Sequence, residues 1–281
     1  MKKQTTGSEV AEMLHVNEAQ KAYYEAADGA SEAEVNGFAT NLWRRLRGRA
    51  LSVFNEGEMD GSLAKIHQEW LGNDLSKLKV MDLGVGYGNP LSMYLARNCR
   101  EYVAIDLSQT MVDWFQRQLD SAKLTHARAM VADVLSDEWP EREFDLIYAR
   151  AVFHHFGHFE AFLEKLAARM TPNSRVITLD DPLETWLPMK MLRLAYRPFQ
   201  TDADWEYPFT GATLRAIEKH FVVEKVQGTY GHSKWAIPLA FIAPETGKRK
   251  AREWHAQDLA ESYDLKNVRS CLRASMLLRK R

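Results

Sequence analysis

Lys79–Pro90 reads KVMDLGVGYGNP, and the order of residue types in it decides the fold. A short apolar run carries Asp82 at its end, glycines follow at Gly84, Gly86 and Gly88, and Asn89-Pro90 opens the next segment. Asn caps a helix well and Pro gives up no needed N–H at a first helical position, so the stretch predicts a strand, a glycine turn and a helix start. Such a turn gathers backbone N–H groups at the positive end of a helix, where a polar ligand is held.

The pattern repeats outward. Short apolar runs (YVAID, ARAMVAD, FDLIYAR, RVITLDD) alternate with helical segments (LSMYLARN, SQTMVDWFQRQLDSA, FEAFLEKLAARM). Strands buried on both faces and separated by helices predict an α/β fold with a doubly wound parallel sheet. Before it, SEVAEMLHVNEAQKAYYEAA, VNGFATNLWRRLRGRALSVF and SLAKIHQEWLG read as helices, with Phe38, Leu42, Leu46 and Leu51 in step, Ser62 as an N-cap and Gly72 as a stop. After Asp181-Pro182 an aromatic- and Met-rich segment inserts a helix and loop. GATLRAIEKH predicts another helix, FVVEKVQG and KWAIPLAFI two final antiparallel strands, and the tail a helix. The expected divisions are 1–76, an N-terminal helical cap; 77–182, the α/β core; 183–219, an inserted helical lid; 220–244, the final strands; and 245–281, a helical extension.

Composition narrows the function. The chain has 281 residues, 46% hydrophobic, and a formal net charge of −1, so it is not built as a whole around a polyanion. From Lys248 to Arg281 ten basic residues face four acidic ones, a bias that fits either a solvated helix face or a contact with nucleic acid, membrane or partner. Two distant cysteines, Cys99 and Cys271, make no disulfide framework and point to a reducing cytoplasm. The polar N-terminus has no signal-peptide core, and the longest apolar run is too short to span a bilayer, so no membrane partner is expected.

Asp106 closes the second apolar run twenty residues past Gly86, where an acid accepts both hydroxyls of a ribose. The glycine spacing is G-x-G-x-G rather than the dinucleotide G-x-G-x-x-G, and Asp82 would repel a pyrophosphate but welcome an ammonium group. The ligand implied has an adenosine end, a carboxylate and an amine.

VMDLGVGYGNP, VAIDLS, VADVL and FDLIYARAVFHHF together resemble the successive motifs of the class I S-adenosylmethionine-dependent methyltransferases, over roughly Leu78 to Pro182. The resemblance implies a Rossmann-like, mostly parallel seven-stranded sheet with an antiparallel last strand, and S-adenosyl-L-methionine as cofactor. It puts Asp82 near the methionine ammonium, Gly84 and Gly86 against the cofactor, and Asp106 on the ribose. Leu107 and Met111 would meet the adenine face, Asp133 its amino group with Val134 beside it, and Ala149 and Arg150 the methionine and sulfonium.

A sulfonium is an activated methyl donor, so a base is needed only for an acceptor that keeps its proton. His154 and His155 are the candidates, against a plain packing role at a strand-to-helix turn. No carboxylate or Cys at metal-ligand spacing accompanies them, and no metal is expected. Tyr23 and Tyr24, in an N-terminal lid, and Trp186, Arg193, Tyr196 and Arg197, in the insertion, are expected to line a closed pocket for a small-molecule acceptor. No Asn/Asp-Pro-Pro-Tyr/Phe or Pro-Cys motif of DNA methylation follows the fourth strand. Other readings stay open: chemistry at another sulfonium carbon with release of methylthioadenosine, a nicotinamide oxidoreductase, or nucleic-acid binding through the tail. A homo-oligomer is compatible with the sequence.

Overall fold

The computed structural model describes residues 2–27, 38–72, 74–137, 143–199 and 203–281; Val35–Gly37 of the second expected helix lie outside them. The run before the glycine turn forms β1, Lys79–Leu83, buried from Val80 onward. It pairs in parallel with β2, Glu101–Asp106, on one side and β4, Phe144–Arg150, on the other. β3, Ala127–Val131, and β5, Met170–Pro182, extend the sheet in parallel beyond them. β6, Phe221–Thr229, lies at the far edge, and β7, Arg273–Lys280, runs antiparallel between β5 and β6. The described residues thus form the expected seven-stranded sheet, in the order β3-β2-β1-β4-β5-β7-β6. The order reverses between β1 and β4, and open α/β sheets bind ligands beyond the strand ends at that point.

Strand alternation sorts the core into two layers. Val80, Tyr102, Leu146 and Tyr148 pack against α3 (Glu56–Leu71), α4 (Pro90–Asn98) and α5 (Gln109–Ser121) through Trp70, Leu95 and Phe115. Met81, Val103, Ile147 and Ala149 face α6 (Phe159–Ala167) and α8 (Gly211–His220), whose Phe162, Leu214 and Ile217 fill the other side. An N-terminal helix, Lys2–Ala27 (α1), adds Val10 and Met13 to that second layer. Another, Phe38–Leu51 (α2), lies outside both, as does the inserted helix Leu187–Tyr196 (α7).

Three expectations are corrected. KWAIPLAFI is no strand: Ser233–Ala236 is a 3-10 turn and Leu239–Ile242 a short helix, α9, entered through Pro238, which has no N–H to give a sheet. The last strand is β7, inside the expected helical extension, of which only Pro244–Ala260 (α10) is a long helix. Ala274, Met276, Leu277 and Leu278 are buried because β7 has a neighbour on each edge, and a continuous run does not distinguish such a strand from a helix. Finally, α3 starts at Glu56, where Asn55 Oδ1 accepts the Glu58 N–H at 3.3 Å, so Ser62 lies inside it; Gly72 ends it as expected, with φ 77°.

Candidate active site at the carboxyl edge of the sheet

The glycine turn is tied to the neighbouring strand. Gly84 and Val85 donate to the carbonyl of Ile105 at 2.8 and 3.2 Å, and Asn89 Oδ1 caps α4 by accepting from Leu91 and Ser92. Asp106 completes the turn: one carboxylate oxygen accepts the Gly86 N–H at 2.9 Å and the other the Ser108 N–H at 3.0 Å. Burial raises its pKa, against the pull of these N–H groups. Gly86 has φ 53°, and the nearest atom to a Cβ built there is Met111 Sδ at 3.9 Å. Gly86, Asp106 and Met111 therefore share one edge of an open space beside half-buried Leu107.

Asp133 lies just past β3. It is joined to α1, whose Asn17 Nδ2 donates to Oδ2 at 2.8 Å, while Leu135 N–H donates to Oδ1. Burial raises this pKa too, opposed by the Asn17 bond. Farther along α1, Tyr23 packs edge-on against Trp205 at 5.1 Å and against Tyr24 at 5.5 Å. The N-terminal helix thus meets both the residue just past β3 and the insertion.

Four expected cofactor contacts are not presented to this edge as side chains. Asp82 is 1% exposed, on the layer facing α4 and α5, where the Tyr102 hydroxyl donates to it at 2.5 Å; burial pushes its pKa up to about 7. Val134 and Ala149 are buried in the opposite layer. Arg150 turns to the cap, pairing with Asp60 of α3 at 2.9 Å. In each case strand or turn geometry, invisible in the linear motif, sets the direction of the side chain. In the insertion, Arg197 is exposed, Trp186 packs on Trp235 at 5.5 Å, and Tyr196 stacks on Trp43 at 4.5 Å.

His154 and His155 follow β4 in a 3-10 turn and meet residues that sequence reasoning missed. Asp181 Oδ1 accepts from both the backbone N–H of His154, at 3.1 Å, and its Nδ1, at 2.8 Å. Asp181 is aimed there by a β-bulge: Leu179 and Asp180 together oppose Ser275, and Asp180 has φ 63°. Glu206, from the insertion, approaches His154 Nε2 at 3.4 Å, and buried Arg193 approaches its other oxygen at 3.6 Å. Burial would depress the His154 pKa, but hydrogen bonds and charge from Asp181 and Glu206 raise it to about 9. His155 goes the other way, lowered by burial and by the charge of His154. Its Nδ1 lies 3.0 Å from the Trp205 carbonyl, which only accepts, so Nδ1 carries the hydrogen and Nε2 the lone pair. The expectation of no metal rested on a missing carboxylate; Glu206 supplies one, and ligating atoms of His154, His155 and Glu206 lie within 4.8 Å of one another. The only local signal for Asp181 was an acid at the end of a strand beside β4; Glu206 had none.

Residues 80–173 match the family described as a methyltransferase domain. An uncharacterized methyltransferase of Schizosaccharomyces pombe is 29% identical over 129 residues, 43% of this chain and 44% of that protein. A fatty-acid O-methyltransferase of Mycolicibacterium smegmatis is 22% identical over 195 residues, 69% and 64% of the two chains. The chain spans about half the length of the first curated relatives it matches. Geranyl diphosphate C-methyltransferase of Streptomyces coelicolor, solved with Mg2+, geranyl diphosphate and S-adenosyl-L-homocysteine, superposes with a TM-score of 0.55 at 13% identity, over 79% of each chain. Residues 80–173 thus carry a methyltransferase domain, and the sheet order and glycine turn around them are those of the class I, S-adenosylmethionine-dependent methyltransferase fold.

Proposed function

We propose that the protein transfers a methyl group from S-adenosylmethionine to a small-molecule acceptor. The observation that carries this is Asp106, an acid at the end of β2 fixed to the Gly86 N–H at the switch point of the sheet. The donor set fits the cofactor: Asp106 keeps acceptor capacity for the ribose hydroxyls and Asp133 for the adenine amino group. Gly86 leaves room for close approach of the methionine half. Asp82 acts from behind the turn, holding β1 to Tyr102, rather than as a direct ammonium contact.

When bound, S-adenosylmethionine supplies a methyl group already activated on a sulfonium. The chain then has to orient the acceptor and exclude water, and good positioning accounts for up to ~7–11 kcal/mol of a barrier. His155, neutral with its Nε2 lone pair available, is the proton acceptor for an acceptor that keeps its proton. His154, protonated at neutral pH, is a positioning residue: it ties Glu206 and the insertion to Asp181 across the strand ends. The two carboxylates of this cluster are balanced by His154 and Arg193, so it needs no metal for charge balance. A small, partly apolar acceptor agrees with the aromatic cover of Tyr23 and Trp205, and with the fatty-acid and geranyl substrates in the names of the relatives.

Thermal shifts with S-adenosylmethionine, S-adenosylhomocysteine and NAD test the reading. A ligand at a hundredfold excess over its Kd adds about 2.7 kcal/mol of stability. A rise with the two adenosyl-sulfur compounds alone is expected; a rise with NAD alone would overturn it. Release of methylthioadenosine instead of S-adenosylhomocysteine during turnover would replace methyl transfer by chemistry at another sulfonium carbon.

A further inference from the structure

The helix α7 is inside out. Leu187, Met191 and Leu194, spaced to share one face, are 68%, 59% and 69% exposed, while Arg193 is its buried residue. An ordinary surface helix turns its apolar stripe to the core and its arginines to water. Burying Arg193 is accounted for by Glu206; exposing three large apolar side chains on one face is not accounted for by a partner among the described residues.

The same surface continues onto two neighbours. Tyr196 of α7 stacks on Trp43 of α2 at 4.5 Å, and Trp186, capping α7, packs on Trp235 at 5.5 Å. Arg49 of α2 lies over the ring of Phe241 in α9 at 5.6 Å. These neighbours also expose apolar groups: Leu42 and Leu46 on α2, Trp235, and Phe241 with Ile242 on α9, the last 78% exposed. Leu42 and Leu46, in step at helical spacing, are both exposed on α2. An apolar surface of this extent marks an interaction site.

Charge identifies the partner. Across α2, α7, the 233–236 turn and α9 five basic residues are exposed, Arg44, Arg45, Arg47, Arg49 and Lys190, and these elements contain no acidic residue, in a chain whose formal net charge is −1. Leucines and tryptophan interleaved with arginine on short helices are what an anionic lipid surface binds: apolar groups enter the acyl boundary while basic groups meet the headgroups. We propose that α2, α7 and α9 dock the protein on the surface of an anionic phospholipid bilayer. No described helix is long and apolar enough to cross a membrane, and span length does not bear on helices that lie in the interface. The opposite face of α7 carries Arg193, which reaches Glu206 and through it His154, so the docked surface and the candidate site lie on two sides of one helix. The proposal deepens the reading of an apolar acceptor, which would enter from the lipid layer beneath α7.

Vesicle co-sedimentation tests it without cofactor or acceptor. Phosphatidylcholine vesicles containing about a third phosphatidylglycerol are expected to bind the protein, plain phosphatidylcholine vesicles far more weakly, and salt to weaken the former. A combined Leu187→Gln, Met191→Gln, Leu194→Gln and Ile242→Gln variant should bind anionic vesicles more than about tenfold more weakly with an unchanged Tm, since these side chains are exposed. No binding to anionic vesicles, or equal binding by the variant, overturns the proposal. So does a concentration-dependent dimer that the variant abolishes in the absence of vesicle binding. S-adenosylhomocysteine binding, measured separately, is expected to be the same in both proteins, so failure of docking and failure of the methyltransferase reading are told apart.

Discussion

Asp181 holds His154 at two points through one oxygen, accepting from its backbone N–H at 3.1 Å and from its ring Nδ1 at 2.8 Å. With Glu206 at the far side of the ring, the His154 pKa stands at about 9, above the unfolded value of 6.5. A raised folded pKa gives stability that is fully present below pH 6.5 and lost as pH rises through 9. Over that window about 3 kcal/mol of stability should disappear. Urea unfolding at pH 6.5, 8 and 9.5 reads this directly; His154→Gln should be less stable at pH 6.5 and flat across the range. A chelator should leave the wild-type curve unmoved, and stabilisation by added Zn2+ would instead show the three donors acting as a metal site.

His67 has the opposite sign. It is buried in α3 with Nε2 lacking a hydrogen-bond partner, and burial, aided by the charge of Arg150, lowers its pKa to about 3. Unfolding therefore makes this side chain take up a proton between pH 3 and 6.5, and its contribution to stability falls with acidification below 6.5 by about 1.4 kcal/mol per pH unit. His67→Phe should remove that slope. The two histidines thus contribute slopes of opposite sign on the two sides of pH 6.5, while buried Asp82, with its pKa of about 7, opposes the His67 slope below that pH, so each contribution is read as the difference between wild type and its variant.

How far the sequence reached is visible in where these residues came from. Asp106 and the glycines were readable because a ligand loop is local: one turn, one strand end and one helix start, all within thirty residues. The parallel strands were readable because burial on both faces leaves a continuous apolar run. Asp181 and Glu206 were not, because one is aimed by a bulge and the other by an irregular insertion, and neither leaves a period. β7 was misread for a related reason: its partners, β5 and β6, are chosen by topology rather than by any pattern within RASMLLRK.

Gly86 and Gly88 separate binding from stability. A Cβ on Gly88, at φ 78°, would stand 2.4 Å from the ring of fully buried Phe115, so Gly88→Ala should cost about 2–4 kcal/mol and lower the Tm. A Cβ on Gly86 meets nothing closer than 3.9 Å, so Gly86→Ala carries only the left-handed backbone cost of about 1–2 kcal/mol. It should nevertheless weaken S-adenosylhomocysteine binding more than its small loss of stability accounts for. Equal losses of stability in the two variants would contradict the open space assigned beside Gly86.

Asp106→Ala removes the acceptor for the ribose hydroxyls and frees the Gly86 N–H. Hydrogen bonds to a charged group are worth about 1.5–3 kcal/mol each, so calorimetry should show S-adenosylhomocysteine binding weakened at least tenfold. Asp106→Asn keeps an acceptor oxygen and should fall between the two. Unchanged affinity in Asp106→Ala would refute the assignment of this residue to the ribose.

The bond from Asn17 to Asp133 couples the N-terminal helix to the ligand. Asn17 is buried, and its amide donates to one carboxylate oxygen of Asp133 at 2.8 Å while the Leu135 N–H occupies the other. Each oxygen has a second lone pair, so a carboxylate held by α1 still accepts from an adenine amino group, and ligand and helix then hold the same group in place. Cofactor binding should therefore slow amide hydrogen exchange along α1, although the glycine loop lies elsewhere in the chain. Asn17→Ala should abolish that added protection and weaken S-adenosylhomocysteine binding about tenfold, the worth of one hydrogen bond to a charged partner. If α1 were only a structural cap, Asn17→Ala would lower the Tm and leave both the affinity and the ligand-induced protection intact.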